Sequence, residues 1–171
     1  MADGTLKTIP HGDIVDLITR DEYESFELKL EWRISPAGNS GIMYHVAEGD
    51  REVWHTGPEM QILDDTGHDD AHKANTSAGA LYDLIAPVNK HLAPVGEWNQ
   101  VRILVNGNHV EYWLNGHQVV EYELNSPELN ARIADSKFKN EPRFARMKTG
   151  YIALQCHKDE VWFRDIKVRR L

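Results

Sequence analysis

Residues 101–122, with the sequence VRILVNGNHVEYWLNGHQVVEY, decide the fold class of this 171-residue chain. Asn106-Gly107 separates two runs of alternating apolar and polar residues, and this pair favours a type I′ hairpin turn because both central residues need positive φ. Asn115-Gly116 repeats the signal before a third run. The stretch predicts an antiparallel meander of three strands, Val101–Val105, His109–Leu114 and His117–Tyr122.

The alternation continues outside this meander. Every second residue from Phe26 to Trp32 is apolar, and charged residues lie between them, which is the pattern of a half-buried strand. The other predicted elements are strands at Gly41–Val46, Val53–Trp54, Glu59–Leu63, Tyr151–His157 and Val161–Val168, and a short helix at Pro127–Ala134. Many short strands broken by Gly, Asn and Pro predict an all-β jelly-roll β-sandwich of two antiparallel sheets.

Composition excludes several classes of protein. The chain has 19 Lys and Arg against 27 Asp and Glu, a formal net charge of −8, which argues against nucleic acid as a partner. No stretch reaches the roughly 20 apolar residues of a membrane span, and the single cysteine, Cys156, excludes an internal disulfide. We expect one domain over residues 1–171 and no signal peptide in Met1–Gly4. A cytoplasmic protein and a trimmed chain both remain open, as does the oligomeric state.

The strand at residues 59–63 has one apolar and one polar face. Period two places Met60 and Ile62 in the core and turns Glu59 and Gln61 towards solvent or a cleft. The simpler interpretation is a solvated strand face. The alternative is a carboxylate and an amide that bind sugar hydroxyls.

Residues 150–157 show the same division. Cys156 shares a face with apolar residues, as a small buried hydrophobe would, and Gln155 and His157 lie on the opposite face. His157 is next to a turn, where a histidine is usually a surface residue. Because the ordinary pKa of histidine is near 6.5, it could instead act as a general base.

A metal site is a further hypothesis. His68 and His72 are four residues apart, a spacing that suits two ligands on a helix. Asp64 would add a carboxylate, but a hard cation needs several convergent oxygen ligands. Gly67 and the neighbouring acidic residues favour a solvated polar loop.

Longer motifs occur in a fixed order along the chain. They are FELKLEWR (26–33), GNSGI (38–42), GPEMQILD (57–64), AGALYD (78–83), GEWN (96–99), WLNG (113–116), GYIALQCH (150–157) and VWFRDI (161–166). In this order they resemble the 3-keto-disaccharide hydrolase family. The likeness covers the chain from about Asp21 onward.

The resemblance implies a concanavalin A-like jelly roll with a concave sugar-binding face, in proteins commonly exported to the periplasm or the cell exterior. Two departures from the family pattern matter. Relatives usually begin with an extra Leu-Phe-Asn-Gly-type segment and a Trp-rich strand, so we expect a domain without that N-terminal segment. Relatives also often carry Asp-His-Gly where this chain has Cys156-His157-Lys158, and no role of that Asp is transferred.

The resemblance also implies hydrolysis of 3-keto-glycosides or 3-keto-disaccharides. A ketone at C3 acidifies the C2 proton, so a base forms an enolate, the aglycone leaves from C1, and water adds back. We expect Glu59 or His157 as base or acid. The predicted binding residues are Arg33, Gln61 and Gln155 for hydroxyls or the oxyanion, and Glu31, Tyr44, Tyr82 and Lys137 for the cleft wall. The sequence establishes no cofactor, and a divalent cation, which would stabilise the enolate as a Lewis acid, remains open.

Two other functions fit the same residues. A conventional glycosidase needs two carboxyls about 5–5.5 Å or 6.5–9.5 Å apart, and the sequence offers Glu31 or Asp64 as a partner for Glu59. A non-catalytic carbohydrate-binding module needs only aromatic platforms and hydroxyl partners, and one fold can serve both roles. A perturbed ionisable pair in the cleft would favour catalysis.

Overall fold

Two antiparallel sheets stack face to face in the computed structural model, which describes residues 4–9, 15–49 and 51–171. Residues 1–3, where we expected no signal peptide, lie outside these ranges. In chain order the elements are β1 (Leu6–Lys7), β2 (Leu17–Ile18), β3 (Phe26–Ile34), β4 (Asn39–Val46), β5 (Glu59–Leu63), β6 (Asn99–Asn106), β7 (His109–Leu114), β8 (His117–Glu123), α1 (Pro127–Ala134), β9 (Tyr151–Leu154) and β10 (Val161–Arg170). The all-β, jelly-roll prediction is confirmed.

One sheet has six strands and the other has four. The larger sheet has the order β1-β10-β3-β6-β7-β8, and it contains the predicted meander as its last three strands. The smaller sheet has the order β2-β9-β4-β5. Strand β2 is an edge strand of two residues, and Leu17 and Ile18 are 51% and 36% exposed.

One hydrophobic core fills the space between the sheets. Strand β3 buries Phe26, Leu28 and Leu30, each at most 2% exposed, against the inner face of the smaller sheet. Ile42 on β4 and Ile62 on β5 are fully buried on that inner face. The alternation seen in the sequence therefore has its physical cause in this core, because only every second residue of a strand can reach it.

Three tyrosines join the sheets inside the core. The Tyr122 hydroxyl is hydrogen-bonded to the hydroxyls of Tyr44 and Tyr112, the latter at 3.1 Å. Burial raises the pKa of all three well above the ordinary value. Tyr44 was predicted for the cleft wall, and that prediction is wrong, because Tyr44 shares the inner face of β4 with Ile42.

Two predicted strands also differ from the structure, one in type and one in length. The segment predicted as the strand Val53–Trp54 is a 3₁₀ helix, Val53–His55, because the His55 N–H and the Gly57 N–H turn back to local carbonyls. The strand predicted over Tyr151–His157 ends at Leu154. Beyond it the Cys156 N–H donates to the Asp16 carboxylate at 2.8 Å instead of to the backbone of a neighbouring strand.

The helices of the described ranges are short. Helix α1 begins with Ser126 as its N-cap, whose hydroxyl accepts from the Leu129 N–H at 3.1 Å, and it buries Leu129 and Ile133. Further 3₁₀ helices cover Asp69–His72, Ala74–Thr76 and Lys137–Asn140. None of the helices in these ranges combines the length and the apolar character of a membrane span.

Candidate active site

The outer face of the smaller sheet carries a pocket of about 710 Å³. Its floor comes from β4, β5 and the end of β9, and its wall from segments before β2, after β5 and after α1. The sequence-predicted residues that line it are Glu59, Gln61, His68, Tyr82, Lys137, Gln155 and His157. The structure therefore collects residues that lie almost 100 positions apart in the chain.

Strand register explains why the floor is polar. Gln61 on β5 lies opposite Gly41 on β4, and the Gln155 N–H donates to the Gly41 carbonyl at 2.9 Å. Since side chains alternate along each strand, Glu59, Gln61 and Gln155 all point away from the core. The cleft interpretation of the strand at 59–63 fits this placement, because Glu59 is only 5% exposed.

Gly41 makes room for the Glu59 carboxylate. A Cβ atom built on Gly41 would overlap Glu59 Oε1 and approach the rest of its carboxylate. The Glu59 side chain therefore extends from β5 across the backbone of β4. A residue with a side chain at position 41 would occupy the place of that carboxylate.

Glu59 is a buried acid with little compensation. Burial raises its pKa from 4.5 to about 7, Lys137 lowers it, and Asp70 and Asp16 raise it. In the amide orientation that satisfies both neighbours, Gln61 Nε2 donates to Glu59 Oε1 at 3.1 Å and to the Ser40 carbonyl at 3.0 Å. A carboxyl that titrates near neutral pH can accept a proton from a substrate and return it.

Lys137 places a cation on the same side of the pocket as Tyr82. Its Nζ lies 4.1 Å from the centre of the Tyr82 ring, 5.1 Å from that of Trp54 and 4.9 Å from that of Phe138. Burial lowers the Lys137 pKa, and the nearby Glu59 carboxylate opposes that shift. Within the described residues its ammonium makes no ion pair, so its charge is available to a bound anion.

Hydrogen bonds hold this wall in place. The Tyr82 hydroxyl donates to Asp70 Oδ2 at 3.2 Å, and the Lys137 backbone N–H donates to Asp83 Oδ2 at 3.0 Å. Burial raises the Tyr82 pKa, and the Asp70 charge adds to that increase. Tyr82 is therefore a neutral hydroxyl with a fixed orientation.

Amide groups form the centre of the floor. Gln155 Oε1 is a buried atom with no hydrogen-bond partner among the described residues. Asn39 lines the pocket beside it, and its backbone N–H donates to Asp159 Oδ2 at 3.0 Å. The unpaired Gln155 amide oxygen can accept a hydrogen bond from a sugar hydroxyl.

The opposite end of the pocket contains Asp16 and His157. Asp16 Oδ1 accepts the Cys156 N–H at 2.8 Å. Burial raises the Asp16 pKa, the Cys156 N–H lowers it, Glu52 raises it and His157 lowers it. The His157 side chain is 54% exposed, with Nδ1 3.9 Å from Asp159 Oδ2, so it lies at the rim.

Sequence reasoning missed half of the lining. The pocket residues that it did not propose as site residues are Asp16, Asn39, Glu52, Trp54, Asp70, Cys156 and Lys158. Asn39 is on the same face of β4 as Gly41, so period two gave a signal for it. Asp16 had no local signal, because its partner Cys156 is 140 residues away.

Two residues predicted to bind substrate lie on the other side of the molecule. Arg33 projects from the outer face of the larger sheet, with its guanidinium 5.1 Å from the Trp98 ring centre and 4.6 Å from that of Trp162. Glu31 on the same face accepts from Arg164 Nε at 2.6 Å. The prediction is wrong for both, because β3 belongs to the larger sheet and the pocket to the smaller one.

The metal-site residues do not converge. Asp64 uses its carboxylate to hold a turn, accepting from the Ala37 N–H at 2.7 Å and from the Thr66 N–H at 2.8 Å. His68 Nδ1 accepts from the Asp70 N–H at 3.1 Å, and His72 is outside the pocket lining. Across the described ranges no three His, Cys, Asp or Glu side chains are grouped as metal ligands. This donor set does not fit a divalent cation held by protein groups alone.

Known proteins share both sequence and fold with this chain. Residues 1–169 match the 3-keto-alpha-glucoside-1,2-lyase-like domain family. A 3-keto-disaccharide hydrolase from Bacteroides thetaiotaomicron is 34% identical over an alignment of 183 positions, gaps included, that covers 94% of this chain and 63% of the relative. The chain therefore spans less than two thirds of that relative's length.

Solved structures agree with this assignment. A candidate glycosyl hydrolase from Parabacteroides distasonis aligns with a TM-score of 0.91 and 30% identity, over 99% of this chain and 81% of the other. A second from the same organism aligns with a TM-score of 0.82 and 29% identity, over 99% and 88%. A galectin-like protein from Bacillus subtilis, at 9% identity and a TM-score of 0.57 over 98% and 83%, shares the fold alone. The resemblance drawn from the sequence motifs is confirmed, and this chain belongs to the 3-keto-alpha-glucoside-1,2-lyase-like domain family.

Proposed function

We propose that this protein hydrolyses 3-keto-glycosides, including 3-keto-disaccharides, by elimination followed by hydration. The observation that carries the proposal is Glu59, a buried carboxyl with a pKa of about 7 that faces a sugar-sized pocket. The name of the relative from Bacteroides thetaiotaomicron, 3-keto-disaccharide hydrolase, supports the substrate class.

Glu59 is the base in this mechanism. Its carboxylate removes the proton from C2, and the electrons of the C–H bond form an enolate across C2 and C3. Because the best catalytic pKa lies near the working pH, a value of about 7 suits a group that must both take and return a proton. Gln61 orients the carboxylate through its amide.

Lys137 stabilises the enolate oxygen. A preorganised charge in a partly buried site lowers the energy of a developing anion more than a solvated charge would. The Lys137 ammonium is near Glu59 and makes no ion pair in the described ranges, which leaves it free to face the C3 oxygen. This role replaces the one that the sequence suggested for Arg33.

Loss of the aglycone and addition of water complete the hydrolysis. The enolate re-forms the C3 ketone as the C1–O bond breaks, and the aglycone leaves as an alcohol after taking one proton. Water adds its oxygen to C1 of the resulting enone and releases one proton, which replaces the proton that the aglycone took, and Glu59 returns its own proton to C2. Gln155 and Asn39 bind sugar hydroxyls at the floor, and His157 contacts the aglycone from the rim.

A conventional two-carboxylate glycosidase is the second candidate. The observation in its favour is Asp16, which supplies the partner carboxyl for Glu59 that neither Glu31 nor Asp64 provides. Such an enzyme would cleave an unoxidised glycoside without any ketone. A carbohydrate-binding module would bind sugar and cleave neither substrate.

Turnover of a chromogenic 3-keto-glucoside beside the matching glucoside separates these functions. We expect release of 4-nitrophenol from the keto substrate alone and, in D₂O, deuterium at C2 of the product, corrected for spontaneous exchange. Release from the ordinary glucoside, without deuterium at C2, would favour the glycosidase. Binding by calorimetry without turnover would favour the binding module. The same assay with EDTA tests the divalent cation that the resemblance allows.

A further inference from the structure

Asp16 is a pocket residue with no role in the hydrolysis steps proposed for Glu59 and Lys137. It lies immediately before β2, lines the pocket, and fixes one carboxylate oxygen on the Cys156 N–H at 2.8 Å. Its second oxygen makes no hydrogen bond or ion pair among the described residues. One oxygen is therefore an anchor and the other is free to meet a ligand.

The Asp16 and Glu59 carboxylates line the same pocket on the outer face of the smaller sheet. Glu59 starts on β5, but its carboxylate lies over Gly41 on β4. Asp16 is anchored on the residue pair that follows β9, and the Gln155 N–H there is bonded to Gly41. The Glu59 carboxylate over β4 and Asp16 at the start of β2 are therefore separated by two strand spacings of about 4.8 Å each. The electrostatic influence of Asp16 on Glu59 agrees with this placement.

The order of groups across the pocket matches the order of reacting atoms in the sugar. Tyr82 and Lys137 lie beyond β5, on one side of Glu59, and Asp16 lies towards β9, on the other side. In the substrate, C2 lies between C3, which bears the ketone, and C1, which bears the aglycone. With Glu59 at C2 and Lys137 at the C3 oxygen, the oxygen on C1 points towards Asp16.

We propose that Asp16 is the acid that protonates the leaving oxygen at C1, an assignment that rests on the proposed function. As the C1–O bond breaks, the O–H bond of the Asp16 carboxyl breaks and its proton goes to the aglycone oxygen, which leaves as a neutral alcohol. The Asp16 carboxylate then takes a proton from the water whose oxygen bonds to C1. Asp16 ends the cycle protonated, as it began.

Other groups at this end of the pocket suit the role less well. His157 is more than half exposed, and among the described residues its ring has only Asp159, at 3.9 Å, within ion-pair distance. Glu52 lines the pocket but has no anchoring hydrogen bond among the described residues. Asp16 combines a fixed position with partial burial, and that burial raises the pKa of its carboxyl.

The test compares aglycones in Asp16→Asn. The amide oxygen of Asn can still accept from the Cys156 N–H, so the anchor is kept. For 3-keto-glucosides with a sugar or methyl aglycone, which leave poorly, we expect kcat/KM to fall by about 10²–10⁴-fold. For the 4-nitrophenyl substrate, which leaves without a proton, we expect a decrease of less than about fivefold, since acid assistance is then unnecessary.

Asp21→Asn is the matched control, because Asp21 is exposed and, within the part of the chain that the structure describes, forms an ion pair only with Arg170, at 3.3 Å. It should change neither substrate's rate. An equal loss on all aglycones in Asp16→Asn, or no loss, would overturn the assignment while leaving the proposed function intact. If the wild type turns over no keto substrate, the proposed function itself fails. Should Asp16→Asn not fold, the wild-type series decides: weak dependence of kcat/KM on leaving-group pKa supports acid assistance, and steep dependence contradicts it.

Discussion

Two glutamates on opposite faces of the sandwich show how environment separates structural from chemical roles. Glu27, on the outer face of the larger sheet, accepts from Arg102 Nε at 2.7 Å and also pairs with Arg169 at 3.1 Å. The Arg102 hydrogen bond lowers its pKa. Glu59, on the outer face of the smaller sheet, has no cation within ion-pair distance in the described residues, and burial raises its pKa to about 7.

The two carboxylates differ in how their negative charge is compensated once water is removed. Glu27 has exchanged water for cations, so its charge is compensated and its proton is lost at any physiological pH. Glu59 has exchanged water for a buried position with one amide donor, so its two protonation states have similar free energies near pH 7. Charge compensation stabilises a surface, whereas incomplete compensation in a pocket prepares a group for proton transfer.

The largest effect should come from removing each carboxylate in turn. We expect Glu59→Gln to lower kcat on a 3-keto-glucoside by about 10²–10⁴-fold, because the base is lost. Glu27→Gln should leave kcat unchanged, since it is outside the pocket. Steady-state kinetics of both purified variants checks this, and comparable rates for the two would remove the distinction.

The contributions of Glu59 and Glu27 to the free energy of unfolding should change with pH in opposite directions. Because the Glu59 pKa is higher in the folded chain, the unfolded chain releases that proton first as pH rises. Between pH 4.5 and 7 this costs about 3 kcal/mol of unfolding free energy, from 1.36 kcal/mol per pKa unit. Urea unfolding of Glu59→Gln at pH 4, 6 and 8 should lack that decrease.

Glu27 provides the opposite case. Its pKa is lowered in the folded chain, so it contributes stability that is present above its unfolded pKa and lost as pH falls. Glu27→Gln should therefore lose stability relative to wild type at pH 8 and not at acidic pH. If both variants changed in the same direction with pH, the contrast between the two carboxyls would be incorrect.

A smaller effect should follow from filling the space beside Glu59. Gly41→Ala places a methyl group where the Glu59 carboxylate lies, and a displacement of about 1 Å can cost 10²-fold in rate. Gly150→Ala is the comparison, because its Cβ would overlap the backbone of His45, away from the pocket. We expect kcat to fall in the first variant and the melting temperature to fall in the second. The reverse pattern would show that Gly41 serves the fold rather than the carboxylate.

The smallest effect should be at the charged network of the larger sheet. Arg102 bridges Glu27 and Glu111 at 2.7 and 3.0 Å and is partly exposed. Exposed ion pairs contribute about 0–1 kcal/mol, so Arg102→Met should lower the unfolding free energy by roughly that amount. Unfolding curves at low and high salt measure it. An equal loss at both salt concentrations would indicate packing on Trp113 rather than charge.

Sequence patterns predicted the positions of the strands better than the side of the molecule on which each polar strand face lies. Period two grouped Glu59 with Gln61 because both lie within one strand. It could not tell to which sheet β3 belongs, so Arg33 was assigned to the wrong side of the molecule. The prediction for Tyr44 was wrong for a related reason, because the sheet register that turns Gly41 outward also turns Tyr44 inward. Asp16 needed a contact across 140 residues, which no local pattern contains.

The short edge strand β2 has a consequence for how the protein loses activity. It pairs with β9 through only two residue pairs, and its side chains are half exposed, yet it carries the segment that holds Asp16. Short, exposed segments open at a lower free energy than a core. Low urea should therefore abolish turnover before core tryptophan fluorescence changes, and the Thr19 amide should exchange faster than that of Ile42. The useful lifetime of the proposed activity would then be set by local opening of one edge rather than by global unfolding.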